Sequence, residues 1–134
     1  MKFDSFIQSL DMGHCQDQQQ REALFDLMLF LIAADGVITE QESQFMRDWL
    51  NTIEWNASVS KEEYYTATLI KCNRAIKTQT VDDYLTHRAK LLIDTDMKQQ
   101  TMKLVREVAI ADGELNDVEQ QAIDLLSEIL EKQI

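Results

Sequence analysis

Apolar residues along this chain recur at the three- and four-residue spacings of one-sided helices. Val118, Ala122, Ile123, Leu125, Leu126, Ile129 and Leu130 follow the i, i+3, i+4, i+7 series, which lays one buried stripe along a helix and leaves the other face polar. Met102, Val105, Val108 and Ala109 do the same between Lys103, Arg106 and Glu107. Residues 24–34 are different, because they are apolar nearly all round and broken only by Asp26. That composition predicts a helix packed by neighbours on most sides, the centre of a bundle. Asp26 reads there as a single polar edge facing solvent, with a buried functional acid as the alternative.

Helix starts are marked where an N-cap side chain is followed three positions on by an acid or amide, so that free backbone N–H groups at the helix end are satisfied. Asp17-Gln18-Gln19-Gln20 predicts a helix to about Ala34, and Thr39-Glu40-Gln41-Glu42 one to about Trp55. Ser60-Lys61-Glu62-Glu63 starts a third that ends near Lys77, and Thr80-Val81-Asp82-Asp83 a fourth to about Ile93. Asp96 caps a fifth, to about Ala111, and Asn116-Asp117-Val118-Glu119 the last. A short helix over residues 3–11 brings the count to about seven. No linker, low-complexity stretch or charge block divides the chain, so residues 1–134 form one domain.

Composition reinforces this reading. Pro is absent and Gly occurs three times, at Gly13, Gly36 and Gly113, which leaves little material for hairpins and favours an all-α fold. With 13 basic and 24 acidic residues the formal net charge is −11. Such a surface repels phosphate backbones and anionic lipids, so nucleic acid and membrane surfaces are disfavoured as partners. Two cysteines, Cys15 and Cys72, make neither a disulfide framework nor a zinc spacing. No signal peptide is visible at the N-terminus and no apolar run spans a bilayer, so the expected location is the cytoplasm.

One internal match stands out. Ala34-Asp35-Gly36-Val37-Ile38-Thr39-Glu40-Gln41-Glu42 recurs, 77 residues on, as Ala111-Asp112-Gly113-Glu114-Leu115-Asn116-Asp117-Val118-Glu119. Flanking apolar positions also correspond, including Leu27 with Leu104 and Trp49 with Leu126. Gly36 and Gly113 suit the left-handed C′ position of a helix end. Thr39 and Asn116 N-cap the next helix, with Glu42 and Glu119 closing the capping boxes. Two such corners suggest a pseudo-two-fold duplication. Asp35 and Asp112 do not fit so simply, because the last turn of a helix disfavours a carboxylate by roughly 0.3–1 kcal/mol. Bonds to backbone N–H groups of the following helix are one compensation. A bound hard cation is the other, with Asp35 and Glu42, or Asp112 and Glu119, as oxygen ligands. Capping accounts for three of the four motif positions and is the simpler reading. An EF-hand is excluded, since its earlier ligand positions would fall on Leu31 and Ala33, or on Val108 and Ile110.

The two Ala-Asp-Gly-x-[Ile/Leu]-x-x-x-Glu corners resemble the TerB-like family, which includes the tellurite-resistance TerB proteins and the N-terminal region of DjlA-type co-chaperones. The resemblance covers roughly residues 17–130, with its specificity in the two nine-residue motifs. It implies a seven-helix, internally duplicated bundle. It also implies that Asp35, Glu42, Asp112 and Glu119 form a metal site, for a divalent cation such as Ca²⁺ or Mg²⁺. No His-Pro-Asp signature is present and no anchor, so a chaperone-recruiting role does not carry over.

Other candidates have structural explanations. His14 and Cys15 are adjacent beside Gly13, and nothing in the spacing joins them to Cys72 or His87. Glu62/Glu63 and Asp82/Asp83 lie in first helical turns, where negative charge is favourable. Trp49, Trp55, Tyr64 and Tyr65 read as core or groove-edge aromatics. No phosphate loop, nucleophile elbow or His-Glu-x-x-His motif appears. The expectation is a non-enzymatic protein-interaction module of a stress-response system, with divalent-cation binding as the alternative; the oligomeric state stays open.

Overall fold

The computed structural model describes residues 18–34, 40–52, 55, 58–92, 98–103, 105–106 and 117–133. Among these there is helix and no strand, as the composition predicts. The helices are α1 (Gln18–Ala33), α2 (Glu40–Thr52), α3 (Lys61–Lys77), α4 (Val81–Ala89) and α5 (Asp117–Gln133). Residues 98–103 and 105–106 are also helical, where the fifth helix is predicted. The short helix expected over residues 3–11 lies outside the described residues, as do most positions of the two Asp-Gly corners.

α1 is the centre of the bundle, in contact with α2, α3 and α4. Every residue from Ala23 to Ala33 is buried, which is what a helix apolar on all sides requires. Phe25 anchors its first half: Trp49 stacks on it at 5.9 Å between ring centroids, and Tyr64 and Tyr65 pack at 6.1 and 6.3 Å. α5 lies chiefly against α4. Its predicted stripe is the buried one, with Ala122, Ile123, Leu126 and Leu130 in the core and Val118, Leu125 and Ile129 partly buried beside it.

Helix ends show where local rules hold and where they yield. Ser60 has extended backbone (φ −65°, ψ 157°), and its Oγ accepts from the Glu63 N–H at 3.2 Å, the N-cap bond expected there. Thr80 precedes α4 as expected but makes no side-chain cap bond. Its hydroxyl pairs instead with that of Thr78 at 2.9 Å. The cause is the tight α3–α4 connection. Gln79 takes φ 59°, the Thr80 N–H donates to Ala75 O at 2.9 Å, and the Gln79 N–H to Ile76 O at 3.4 Å. This is the six-to-one and five-to-two closure of a Schellman motif, with Gln at the position that usually holds Gly. Thr80 is held by the end of α3 and its φ −111°, ψ 30° are not those of an extended N-cap.

One helix is shorter than predicted. α4 stops at Ala89 rather than near Ile93, because the chain tightens: Leu91 N–H donates to Arg88 O at 3.2 Å and Leu92 N–H to Ala89 O at 3.1 Å. These i to i+3 bonds are a common way to close a last turn, and here they carry Leu92 into the core, 1 % exposed. α2 is described as far as Thr52, whose hydroxyl donates to Trp49 O at 2.6 Å. Trp55 itself is not helical; its indole N–H donates to Val59 O at 2.8 Å and its ring stands edge-on against Tyr64.

Candidate functional site

A buried aspartate organises the most polar part of the described structure. Asp26 is 3 % exposed, which corrects the reading that places it at a solvent edge. A carboxylate in an apolar helix needs compensation inside the protein, and it finds two partners. The Tyr64 hydroxyl donates to Oδ1 at 2.6 Å, and Arg88 Nη2 lies 2.5 Å from Oδ2. Both oxygens are thus engaged, one from α3 and one from α4. Burial nevertheless raises the Asp26 pKa to about 6, with the Arg88 charge and the Tyr64 hydrogen bond opposing the rise. Tyr64 is pushed well above its ordinary value by burial and by the neighbouring Asp26 carboxylate.

A second, softer pair lies next to this one. Cys72 Sγ and the Tyr84 hydroxyl are 3.5 Å apart, with Tyr84 tilted against Phe30 at 5.8 Å. Burial pushes the Cys72 thiol up to about 12, against the pull of the Tyr84 hydrogen bond. It raises Tyr84 as well.

These pairs fix the orientation of the three helices. Asp26 meets Arg88 while Phe30, one turn further on, meets Tyr84, so α4 runs antiparallel to α1. Tyr64 meets Asp26 while Cys72 reaches Tyr84, so α3 runs in the same sense as α1. Between the three helices lies a cleft of about 540 Å³, within the range of small-molecule sites. α1 lines it with Gln19, Glu22 and Asp26, and α3 with Tyr64, Thr68 and Lys71; Tyr84, His87, Arg88 and Leu91 close it. The helix directions make it polarised. Lys71 stands toward the Tyr84 end, and Glu22 and Gln19 stand one and two turns back from Asp26, toward Leu91. A shallower depression of about 310 Å³ shares Lys71 and Tyr84 and continues to Arg74, Thr80 and Asp83.

The acidic corners singled out from the sequence are only partly described. Glu42 is half-buried in the first turn of α2, and Glu119 is buried in the first turn of α5, 1 % exposed. Asp35 and Asp112 lie outside the described residues, as do His14 and Cys15. Among the described residues no group of three or more His, Cys, Asp or Glu side chains stands together as a metal site. The first-turn acids Glu62 and Asp82 reach other helices: Glu62 pairs with Arg47 of α2 at 3.1 Å, and Asp82 accepts from Gln121 of α5 at 2.7 Å. Among the described residues no helix is long and apolar enough to cross a membrane.

The Asp26–Tyr64–Arg88 cluster is the arrangement that sequence reasoning missed. Its one visible signal is the acid itself, since a charge within an otherwise apolar helix is more informative than any apolar neighbour. Its partners stand 38 and 62 positions away, on helices whose direction the sequence leaves open. No protein family model matches this chain, and neither a curated protein nor a solved structure does.

Proposed function

We propose that the chain is a non-enzymatic, cytoplasmic helical interaction module of the tellurite-resistance and stress-response type, a seven-helix bundle with internal duplication. The observation that carries this reading is that the chemically capable groups of the described interior are tied to one another. Both oxygens of Asp26 are engaged by Tyr64 and Arg88, and Cys72 is held as a thiol beside Tyr84. A catalytic acid or nucleophile needs reach to a substrate and a pKa near the working pH. The Cys72 thiol has neither, and both oxygens of Asp26 are already taken by Tyr64 and Arg88. What the fold offers outward is surface. Ile70 is 52 % exposed in the middle of α3, and Val59 is 42 % exposed just before it, apolar side chains suited to contact another protein.

The test is site-specific photo-crosslinking in cells, with the photoreactive residue at Ile70 or, as control, at Gln120 on the exposed face of α5. A discrete protein adduct formed from position 70 and not from position 120 is the expected result. Equal labelling from both positions, or none from either, removes the reading.

Divalent-cation binding is the second reading, favoured by the recurrence of the same acids at the two Asp-Gly corners, 77 residues apart. The ligands in this reading are Asp35, Glu42, Asp112 and Glu119, with Ca²⁺ or Mg²⁺ bound. Thermal unfolding of metal-stripped protein tests it. A cation at a hundredfold excess over its Kd raises stability by about 2.7 kcal/mol, and that gain disappears in Asp35→Asn/Asp112→Asn. No shift with either ion leaves the corners as capping architecture.

A further inference from the structure

The polarised cleft has a feature that bundle architecture does not call for. Between Tyr64 and Val81 the chain carries Lys71, Arg74 and Lys77 and no Asp or Glu, inside a protein of net charge −11. Arg74 and Lys77 lie in the last turn of α3, where a cation complements the helix dipole. Lys71 does not. It stands before that turn, lines the cleft, and makes no ion pair among the described residues. Arg88 faces the same space and is 19 % exposed as a side chain. Its Nη2 is given to Asp26, while its Nη1 has only a 3.5 Å contact with His87 Nδ1. Nε is buried and has no hydrogen-bond partner. Lys71, His87 and Arg88 all line the cleft, over a floor built from the nine-tenths-buried Asp26 and Thr68. Glu22 and Gln19 line it one and two turns of α1 back from Asp26, about 6 and 10 Å along the helix axis.

We propose that this cleft binds a small bipolar molecule: its anionic group, a carboxylate or a phosphate, sits among Lys71, His87 and Arg88, and its ammonium or hydroxyl end sits at Glu22 and Gln19. Protein-interaction surface and ligand cleft are separate features, since Ile70 lies outside the residues that line the cleft. The net negative charge of the protein sharpens the assignment. Long-range electrostatics disfavour approach of any anion, so affinity for one has to come from local contacts such as these. An acid at the far end also discriminates against a bare anion and in favour of a ligand that carries a donor there.

Titration calorimetry of the full chain tests the proposal with four probes: triglycine, phosphoethanolamine, inorganic phosphate and ethanolamine. Triglycine and phosphoethanolamine carry both charges and differ in the anionic group, so the stronger of the two identifies whether carboxylate or phosphate is preferred. The expected result is binding of at least one of them, weaker binding of inorganic phosphate, and none of ethanolamine. Loss of one charge-assisted hydrogen bond weakens a ligand by about tenfold or more. Lys71→Gln, an exposed-site change that leaves the core intact, is expected to show that loss, and Lys103→Gln to show none. Glu22→Gln is expected to weaken the bipolar probes and spare inorganic phosphate. The proposal is overturned if neither bipolar probe binds at about 10 mM, if ethanolamine binds as well as they do, or if Lys71→Gln and Lys103→Gln have the same effect.

Discussion

Replacing Asp26 by Asn should make this protein more stable at neutral pH, although it removes a buried ion pair. Burial raises the Asp26 pKa from 3.8 to about 6 despite Arg88. The folded state therefore holds the Asp26 proton more tightly than the unfolded chain does. Ionising this group is then a cost to folding, one that is absent below the unfolded pKa of 3.8, grows as pH rises, and is complete above about 6. At 1.36 kcal/mol per pKa unit the full cost is roughly 3 kcal/mol. Asn at position 26 has nearly the shape of the protonated acid and keeps an oxygen for the Tyr64 hydroxyl. In both low-pH wild type and Asp26→Asn, Arg88 faces a neutral partner, so the two proteins start from similar stabilities. As pH rises the variant pulls ahead. The wild type is predicted to trail by roughly 3 kcal/mol at pH 7.5, about half of it gained between pH 5 and pH 7.5. The assay is urea unfolding by circular dichroism for both proteins, above the isoelectric point of about 4.5. A stability difference that does not move with pH would refute the reasoning, and so would a wild type that gains on the variant as pH rises. Either result would mean that Arg88 outweighs desolvation, the reverse of the balance that buried ion pairs commonly show.

Three further outcomes follow from the helix ends and the core. Gln79→Gly should stabilise by about 0.5–1 kcal/mol, because relief of the left-handed backbone exceeds the added entropy of the unfolded chain; chemical unfolding reads it, and a loss of stability would contradict the Schellman assignment. Ser60→Ala should cost about 0.5–2 kcal/mol while Thr80→Ala stays within about 0.5 kcal/mol, since only Ser60 makes its cap bond. Equal losses at the two sites would show that the α3–α4 connection had been misjudged. In a Cys15→Ser background, Cys72 should react with a disulfide reagent at pH 8 only as fast as the protein unfolds, because a thiol with its pKa near 12 is about 1 part in 10,000 thiolate at that pH. Reaction faster than unfolding would count against its burial.

Periodicity and capping made most of the fold legible. The all-round apolar run of residues 24–34 became the central helix, the Val118–Leu130 stripe became a buried face, and Ser60 capped where its box places it. These features were readable because each depends on residues within about one turn of one another. The errors came where a neighbour outside the local window decided the outcome. Thr80 has a good capping sequence, but the end of α3 holds it. Trp55 continues the helical pattern of α2, yet Val59 O and Tyr64 claim its ring.

The candidate site is the extreme case of that rule. Asp26 alone reads as an exposed polar edge, since one charge in a helix is most cheaply placed in water. It goes inside because α3 and α4 bring a hydroxyl and a guanidinium to the same point, and neither could be assigned without knowing the helix directions. Once buried, the pair does more than satisfy itself. Replacing a buried ion pair by apolar residues is often neutral or stabilising, so its retention is not explained by stability. It holds Arg88 at the floor of a polar cleft with a long, weak contact on one side and an unpartnered Nε on the other. The raised Asp26 pKa and the fixed guanidinium thus have one cause: taking the carboxylate out of water costs stability, and the same buried carboxylate holds Arg88 at one point on the cleft floor.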